Sequence, residues 1–476
     1  MASQWKPVSE LANDVQSGVI SASELVEASL KTIAAKSEYH AVLSVLEASA
    51  RARAKDIDTR IAKGETIGKL AGVPFIAKDN FLVFGAETTA ASNILKGFQA
   101  PYQSTAINLL EAEGAICVAK ANLDAFGHGA STENSDFGPT LNPHDKTRVP
   151  GGSSGGSAAA VVLDMVPFAL GTDTGGSSRQ PASFSGCVGY KPTYGLISRS
   201  GVVAMASSTD TIGTLARSVE DVATITDVLA GIDELDSTTI QRETEGYAIT
   251  DTSLKGKKIG VVKEYMGEGL DPGVKTAIES AIEKLARAGA EIVEVSIPSL
   301  ALSLAIYYIL VPAEISSNLS RYDGQRFGYS DASATNLEDS YVKSRSHGFG
   351  KEAKRRIIIG THVLSSGYYD AYYKKAQLVR TKLINEFNSV FESVDYLVGP
   401  TAPTTAFKLG ENANDPLQMY LADVMTVGAS LAGLPAIVIP AGSSEDLPVG
   451  LQLMSPAKTD NQLLNVAAAA QKVMSA

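Results

Sequence analysis

Apolar residues recur at helical spacing from near the start of the chain: Leu11, Val15, Val19 and Ile20, then Leu25, Ala28, Leu30 and Ile33, with polar residues between them. That period predicts helices over residues 8–62, with Ser21 and Ser23 as N-cap candidates whose hydroxyls can satisfy the first free N–H groups of a helix. From about residue 72 short continuous apolar runs take over. GVPFIAK, AICVAK and VPFALGT are separated by helical patterns near 104–113 and 155–164, and KKIGVVKE and AEIVEVSIP flank another near 274–288. This alternation predicts an α/β fold: a central mixed, largely parallel sheet covered by helices on both faces. Residues 300–390 are more helical and rich in tyrosine and basic residues, which fits either a small inserted cap or an outer layer. Strand-like VDYLVGP, PAIVIP and VGLQLM then return. A last helix over 459–474, capped by Thr459 or Asp460, carries Leu463, Val466, Ala470 and Val473 on one face. No internal repeat or low-complexity linker interrupts the chain. The expectation is one continuous domain, with N-terminal helices at about 8–62, a core at about 70–230, an outer region at about 300–390 and a return to the core at about 394–476.

Composition narrows the class. With 44% hydrophobic and 20% charged residues the chain has the make-up of a packed, soluble enzyme rather than a disordered or fibrous one. Its formal charge of −11 argues against direct binding of nucleic acid, because phosphate contacts need clustered Lys and Arg. Any RNA is expected to be carried by a partner. Cys117 and Cys187 lie in apolar or glycine-rich sequence without the paired spacing of a zinc site or disulfide framework, and are expected to be buried thiols. The amino-terminal stretch lacks a basic run followed by an apolar core, and no apolar segment is expected to reach the length of a membrane span. The expected location is the cytoplasm, with no metal and no membrane.

The candidate chemistry lies in two serine- and glycine-rich stretches, VPGGSSGGSAAA at 149–160 and GTDTGGSSRQPAS at 171–183. A serine hydroxyl is a poor nucleophile until a base takes its proton, and the usual base is histidine. None of the five histidines stands in a triad signature; His128, the nearest to these stretches, is expected in a loop or packing role. Lysine can replace histidine when burial keeps it neutral. Lys78 ends the run GVPFIAK, which would set its amine at the carboxyl end of a strand, where α/β proteins build their sites; a solvated surface lysine is the alternative. Gly151–Ser157 opens a helix and would otherwise be a tight turn or an anion-binding loop, though it lacks the P-loop lysine. In Thr174-Gly175-Gly176-Ser177, successive N–H groups can converge on one point without side-chain obstruction, as an oxyanion hole requires.

Taken together, GGSSGGSAAA and GTDTGGSSRQPASFSGCVGYKPTYG resemble the amidase signature family. The resemblance implies a Ser-cis-Ser-Lys triad: Ser177 as nucleophile, Ser153 as bridging serine after a cis peptide from Gly152, and Lys78 as base. STENSDFGPTLNP, SSNLSRYDGQRFGY, KRRIIIGTHVLSSGYYDAYYKKAQLVR and SLAGLPAIVIP extend the likeness from about residue 8 onward to the A-subunit family of the tRNA-dependent amidotransferases. Members of that family hydrolyse glutamine and pass ammonia to a B subunit, which activates misacylated tRNA with ATP and Mg²⁺; a small C subunit joins the two. The resemblance therefore implies no cofactor in this chain itself. It also implies that Arg356, with Arg355 adjacent, binds the substrate carboxylate, that Asp423 takes the α-amino group and that Tyr308 is a further contact. Residue chemistry alone would leave these as a solvated helix face, a surface carboxylate and a packed ring. Asp173 and Arg179 are expected to brace the nucleophile loop, and Ser154 to assist through its hydroxyl or to cap the following helix. Ala125, His128 and Thr214 depart from the subunit pattern, as does TVGASLAG. The alternative to a glutaminase subunit is a stand-alone amidase for small carboxamides or peptide amides.

Overall fold

The two apolar runs predicted to flank the first crossover are parallel neighbours in the computed structural model, which describes residues 5–475. The strands are β1 Val42–Val45, β2 Pro74–Lys78, β3 Ile116–Ala121, β4 Phe168–Asp173, β5 Val188–Lys191, β6 Thr211–Ala216, β7 Lys258–Val262, β8 Glu291–Val295, β9 Tyr396–Pro400, β10 Ala436–Ser444 and β11 Leu447–Met454. They form one sheet in the order β1-β3-β2-β4-β6-β5-β10-β11-β9-β7-β8. Parallel pairing is confined to two triplets, β3-β2-β4 and β9-β7-β8. The strands between those triplets pair antiparallel, as does β1 at the edge. The parallel character expected from the alternation thus holds inside the triplets only. β1, β5 and β6 are short or lie among motif residues, and the apolar pattern did not announce them.

Successive residues of the strands feed two cores. Val398, Ile437 and Leu453 pack into one, under the amino-terminal helices Val8–Gln16, Ala22–Ala35 and Glu47–Ala62 and the last helix Asp460–Ser475. Leu397, Ala436 and Met454 pack into the other, with Ile306, Leu310, Leu383 and Phe387. Those four come from helices Ser303–Asn318 and Lys375–Phe391, so the tyrosine-rich region is an outer layer over the second face and not an inserted cap. The result is one large α/β domain.

Local signals mostly fall where expected. Ser21 caps its helix in a reciprocal box with Glu24, whereas Ser23 lies inside the helix and binds Asp58. Asp460 accepts from Tyr190 and Thr193 instead of serving as a free cap. Both cysteines are buried and unpaired. One expectation is corrected: the continuous helical run Pro298–Arg321 spans 24 residues and is by length and composition apolar enough to cross a membrane, although 56% of its 18-residue apolar window is buried inside the protein. Tyrosines and a mid-helix proline disguised its length. Residues 1–4, part of the amino-terminal stretch read for a leader, lie outside the described residues.

Parallel pairing of β2 with β4 sets their carboxyl ends side by side, Ala77 opposite Leu170. Lys78 ends the first strand and Asp173 the second. The helix Gly155–Val162 crosses from β3 to β4, and the short helix Arg179–Ser185 follows β4. Both serine loops therefore open at the same end of the sheet.

Candidate active site

Lys78 is fully buried and its amine is surrounded by hydroxyls. Nζ lies 2.8 Å from Ser153 Oγ, 2.9 Å from Ser154 Oγ and 2.9 Å from Thr172 Oγ1. No carboxylate touches it among the described residues. Burial disfavours the ammonium and brings its pKa down to about 7, against the pull of Asp124, Asp173 and Asp210. A neutral amine at that position can both accept and donate. Ser154 shows no side-chain cap bond to the helix that follows; its hydroxyl instead joins Lys78 to Thr172 O, at 3.2 Å.

The peptide Gly152–Ser153 is cis. Gln180 Oε1 accepts the Gly152 N–H at 2.8 Å, and the buried Asp124 carboxylate gathers the N–H groups of Ser131, Thr132 and Asn134 beside it. Burial raises the Asp124 pKa to about 6, with those N–H bonds restraining it.

Ser177 is almost fully buried. The Ser154 N–H donates to its carbonyl at 3.0 Å, which ties the two serine loops together. No hydrogen bond joins the hydroxyls of Ser153 and Ser177 among the described residues, so the expected relay is assembled on the lysine side only. Such bonds commonly tighten when substrate arrives.

The loop bearing Ser177 is held by a buried ion pair. Arg179 Nη2 and Nε donate to Asp173 Oδ1 and Oδ2 at 2.9 and 3.0 Å, and the Gly176 N–H adds a bond to Oδ1 at 2.8 Å. Ser178 donates to Oδ2 from both its N–H and its hydroxyl. Burial opposes the Asp173 charge, but the Arg179 guanidinium overrides it and holds the carboxyl well below its ordinary range. Arg179 also reaches Thr426 O, Gln452 and Ser430. The bracing role expected of Asp173 and Arg179 is thus what their contacts describe.

This arrangement corrects one member of the expected oxyanion set. The Gly176 N–H is already spent on Asp173, whereas those of Thr174, Gly175 and Ser177 make no hydrogen bond among the described residues. The Thr174 side chain is anchored on Asp210 at 2.7 Å. Glycine is required at 175 because a Cβ would stand 2.6 Å from the Tyr307 ring. At 176 the backbone is left-handed, with φ of 140°, and a Cβ would overlap the Thr426 hydroxyl.

Arg356, Asp423 and Tyr308 come together from distant segments. Arg356 is buried, whereas Arg355 is exposed, so the first is the residue able to meet a ligand in the interior. Its guanidinium lies 5.2 Å from the Tyr308 ring and 5.6 Å from the Tyr420 ring, which stack 3.8 Å apart. Tyr308 donates to Asp423 Oδ2 at 3.4 Å. Burial raises the Asp423 pKa to about 7 despite Arg356 and that bond. An incoming cation would draw that pKa down and favour the ionised carboxylate.

Sequence reading missed several partners. Glu352 binds Arg356 Nε at 2.8 Å and accepts from Tyr420 at 2.9 Å. Its position four residues before Arg356 in one helix was the available signal. Thr172, one residue before Asp173, had none beyond its place at a strand end. Thr426 donates to Gly175 O at 2.6 Å, and nothing local in the sequence connects the two.

The Amidase family model matches residues 24–464. The A subunit of glutamyl-tRNA(Gln) amidotransferase from Halorhodospira halophila is 48% identical over 470 residues, 98% of this chain and 97% of its own. The crystal structure of the A subunit of glutamyl-tRNA(Gln) amidotransferase from Thermotoga maritima is similar with a TM-score of 0.78 at 41% identity, covering 95% of this chain and 91% of that one. Native peptide amidase from Stenotrophomonas maltophilia shares the fold with a TM-score of 0.84 at 28% identity, over 99% of this chain and 98% of that one.

Proposed function

The chain belongs to the amidase family, and from that premise we propose that it is the glutamine-hydrolysing A subunit of a tRNA-dependent amidotransferase. Ser177 Oγ attacks the side-chain amide carbon of glutamine while its proton passes through Ser153 to the neutral amine of Lys78. The N–H groups of Thr174, Gly175 and Ser177 stabilise the oxyanion. Collapse of the tetrahedral intermediate breaks the C–N bond, and the proton held by Lys78 returns to the leaving nitrogen to give ammonia. Water then hydrolyses the glutamyl ester by the same relay in reverse. Arg356 pairs with the α-carboxylate, and Asp423 with Tyr308 receives the α-ammonium.

The observation that carries this reading is a fully buried lysine amine set among three hydroxyls with no acid in contact among the described residues, its pKa brought to about 7 by burial. The buried Arg356 and Asp423 favour a zwitterionic substrate over the neutral amide of a stand-alone amidase. In this reading the partners are B and C subunits in the cytoplasm. ATP, Mg²⁺ and the misacylated tRNA, charged with glutamate or aspartate, are held by B. Purification from native cells, scored for B and C, is paired with a glutaminase assay of wild type and Ser177→Ala. Hydrolysis should vanish in the variant and depend on the partners; turnover retained by Ser177→Ala refutes the assignment.

A further inference from the structure

His128 is wholly buried, and neither imidazole nitrogen has a hydrogen-bond partner among the described residues. A neutral imidazole carries one N–H donor and one acceptor nitrogen. Leaving buried groups of this kind unmet costs about 1–3 kcal/mol each, so interiors avoid it unless something else supplies the partners.

The surroundings of the ring indicate what that is. Its main chain is fixed on both sides: His128 N–H donates to Ala125 O at 3.0 Å, and Asn134 Nδ2 donates to His128 O at 2.9 Å. The segment leading to it borders the serine loop, since the Asp124 N–H donates to Ser153 O at 3.2 Å and a Cβ on Gly127 would lie 3.5 Å from Ser153 Oγ. Phe126 bridges to the other wall, 6.1 Å from the His128 ring and 5.6 Å from Phe349, which lies two residues before the helix bearing Arg356. Burial first, and then the field of Arg356, hold the imidazole pKa well below its ordinary value. A neutral donor and acceptor thus stand where the charge of the buried Arg356 acts on them. An α-amino acid brings one partner for each: a carboxylate that accepts and an ammonium that donates.

Resting on the function proposed above, we propose that His128 donates an N–H to the substrate carboxylate bound by Arg356, and so selects amides that carry a carboxylate. Glutamine hydrolysis by the intact complex is compared for wild type, His128→Leu and His128→Asn, alongside hydrolysis of butyramide. Removal of one such hydrogen bond should raise the glutamine KM of His128→Leu by about tenfold or more with kcat nearly unchanged. His128→Asn should recover most of the loss, and butyramide kinetics should not move. An unchanged glutamine KM in His128→Leu overturns the inference. So does a fall in kcat alone, which would put the ring at the reacting amide. A wild-type complex that cleaves butyramide but not glutamine overturns the proposed function, and this inference with it. A readout that needs no change at 128 uses Ser177→Ala protein with isotope-labelled histidine: the His128 ring signals should shift with glutamine and not with butyramide, and unmoved signals overturn the proposal.

Discussion

Replacing Lys78 by Met should make the protein more stable at low pH while abolishing hydrolysis. Burial takes the amine from its ordinary 10.5 to about 7, and at about 1.4 kcal/mol per unit this amounts to about 5 kcal/mol against the folded state wherever the ammonium is forced to form. The amine's three hydroxyl contacts offset about 3 kcal/mol of that, at about 1 kcal/mol each. The unfolded chain keeps its lysine proton up to pH 10.5 and the folded chain releases it near 7, so between those values the unfolded state binds more protons. Wild-type stability therefore rises with pH across that window, by about 1.4 kcal/mol per unit from this group. Lys78→Met lacks the slope. It should be more stable than wild type by about 2 kcal/mol at pH 6, equal near pH 8 and less stable by about 1 kcal/mol at pH 9. For a chain of 476 residues, about 1 kcal/mol corresponds to about 1 °C in Tm, within the reach of scanning calorimetry. A variant destabilised by the same amount at all three pH values would refute this, by showing that the amine is not held neutral.

Two substitutions probe the surrounding framework. Glu352→Gln removes the charge that faces Arg356 and weakens the bonds from Arg356 and Tyr420, so steady-state kinetics should show the glutamine KM raised by about tenfold with kcat little changed, as expected when a ground-state interaction is weakened at one remove. Asp173→Asn breaks a fully buried pair and should cost about 3–5 kcal/mol, read as a Tm lower by several degrees, because Arg179 is left without its counter-charge. Hydrolysis should fall with it, since the Gly176 and Ser178 N–H groups bond to different oxygens of Asp173 and asparagine keeps only one of them as an acceptor.

The α/β class, the helical character of residues 300–390 and the loops bearing Lys78, Ser153 and Ser177 were legible because apolar runs and glycine-rich turns are local signals; whether 300–390 formed a cap or an outer layer was not. Nor was the antiparallel middle of the sheet. β5 and β6 carry Gly189 and Gly213, whose place is fixed by contact with Ser178 and not by apolar periodicity. The same holds at the site. Asp173 and Arg179 lie six residues apart, and a charged pair at that spacing can be read. Thr426 and Tyr307, which close on Gly175 from remote segments, leave no trace in a single sequence because their constraint is steric and long-range. The spent Gly176 N–H is a third case: a string of glycines says that donors are free to converge, and only the fold shows which one has been claimed.

The central claim is that an uncharged Lys78 withdraws the proton of Ser177 through Ser153. Quench-flow measurement of glutamyl-enzyme formation across pH tests it most directly. The acylation rate should climb tenfold per unit at low pH, level off above about pH 7, and be absent in Ser177→Ala and Lys78→Arg. A rate independent of pH, or one still climbing toward the ordinary lysine range, would contradict it.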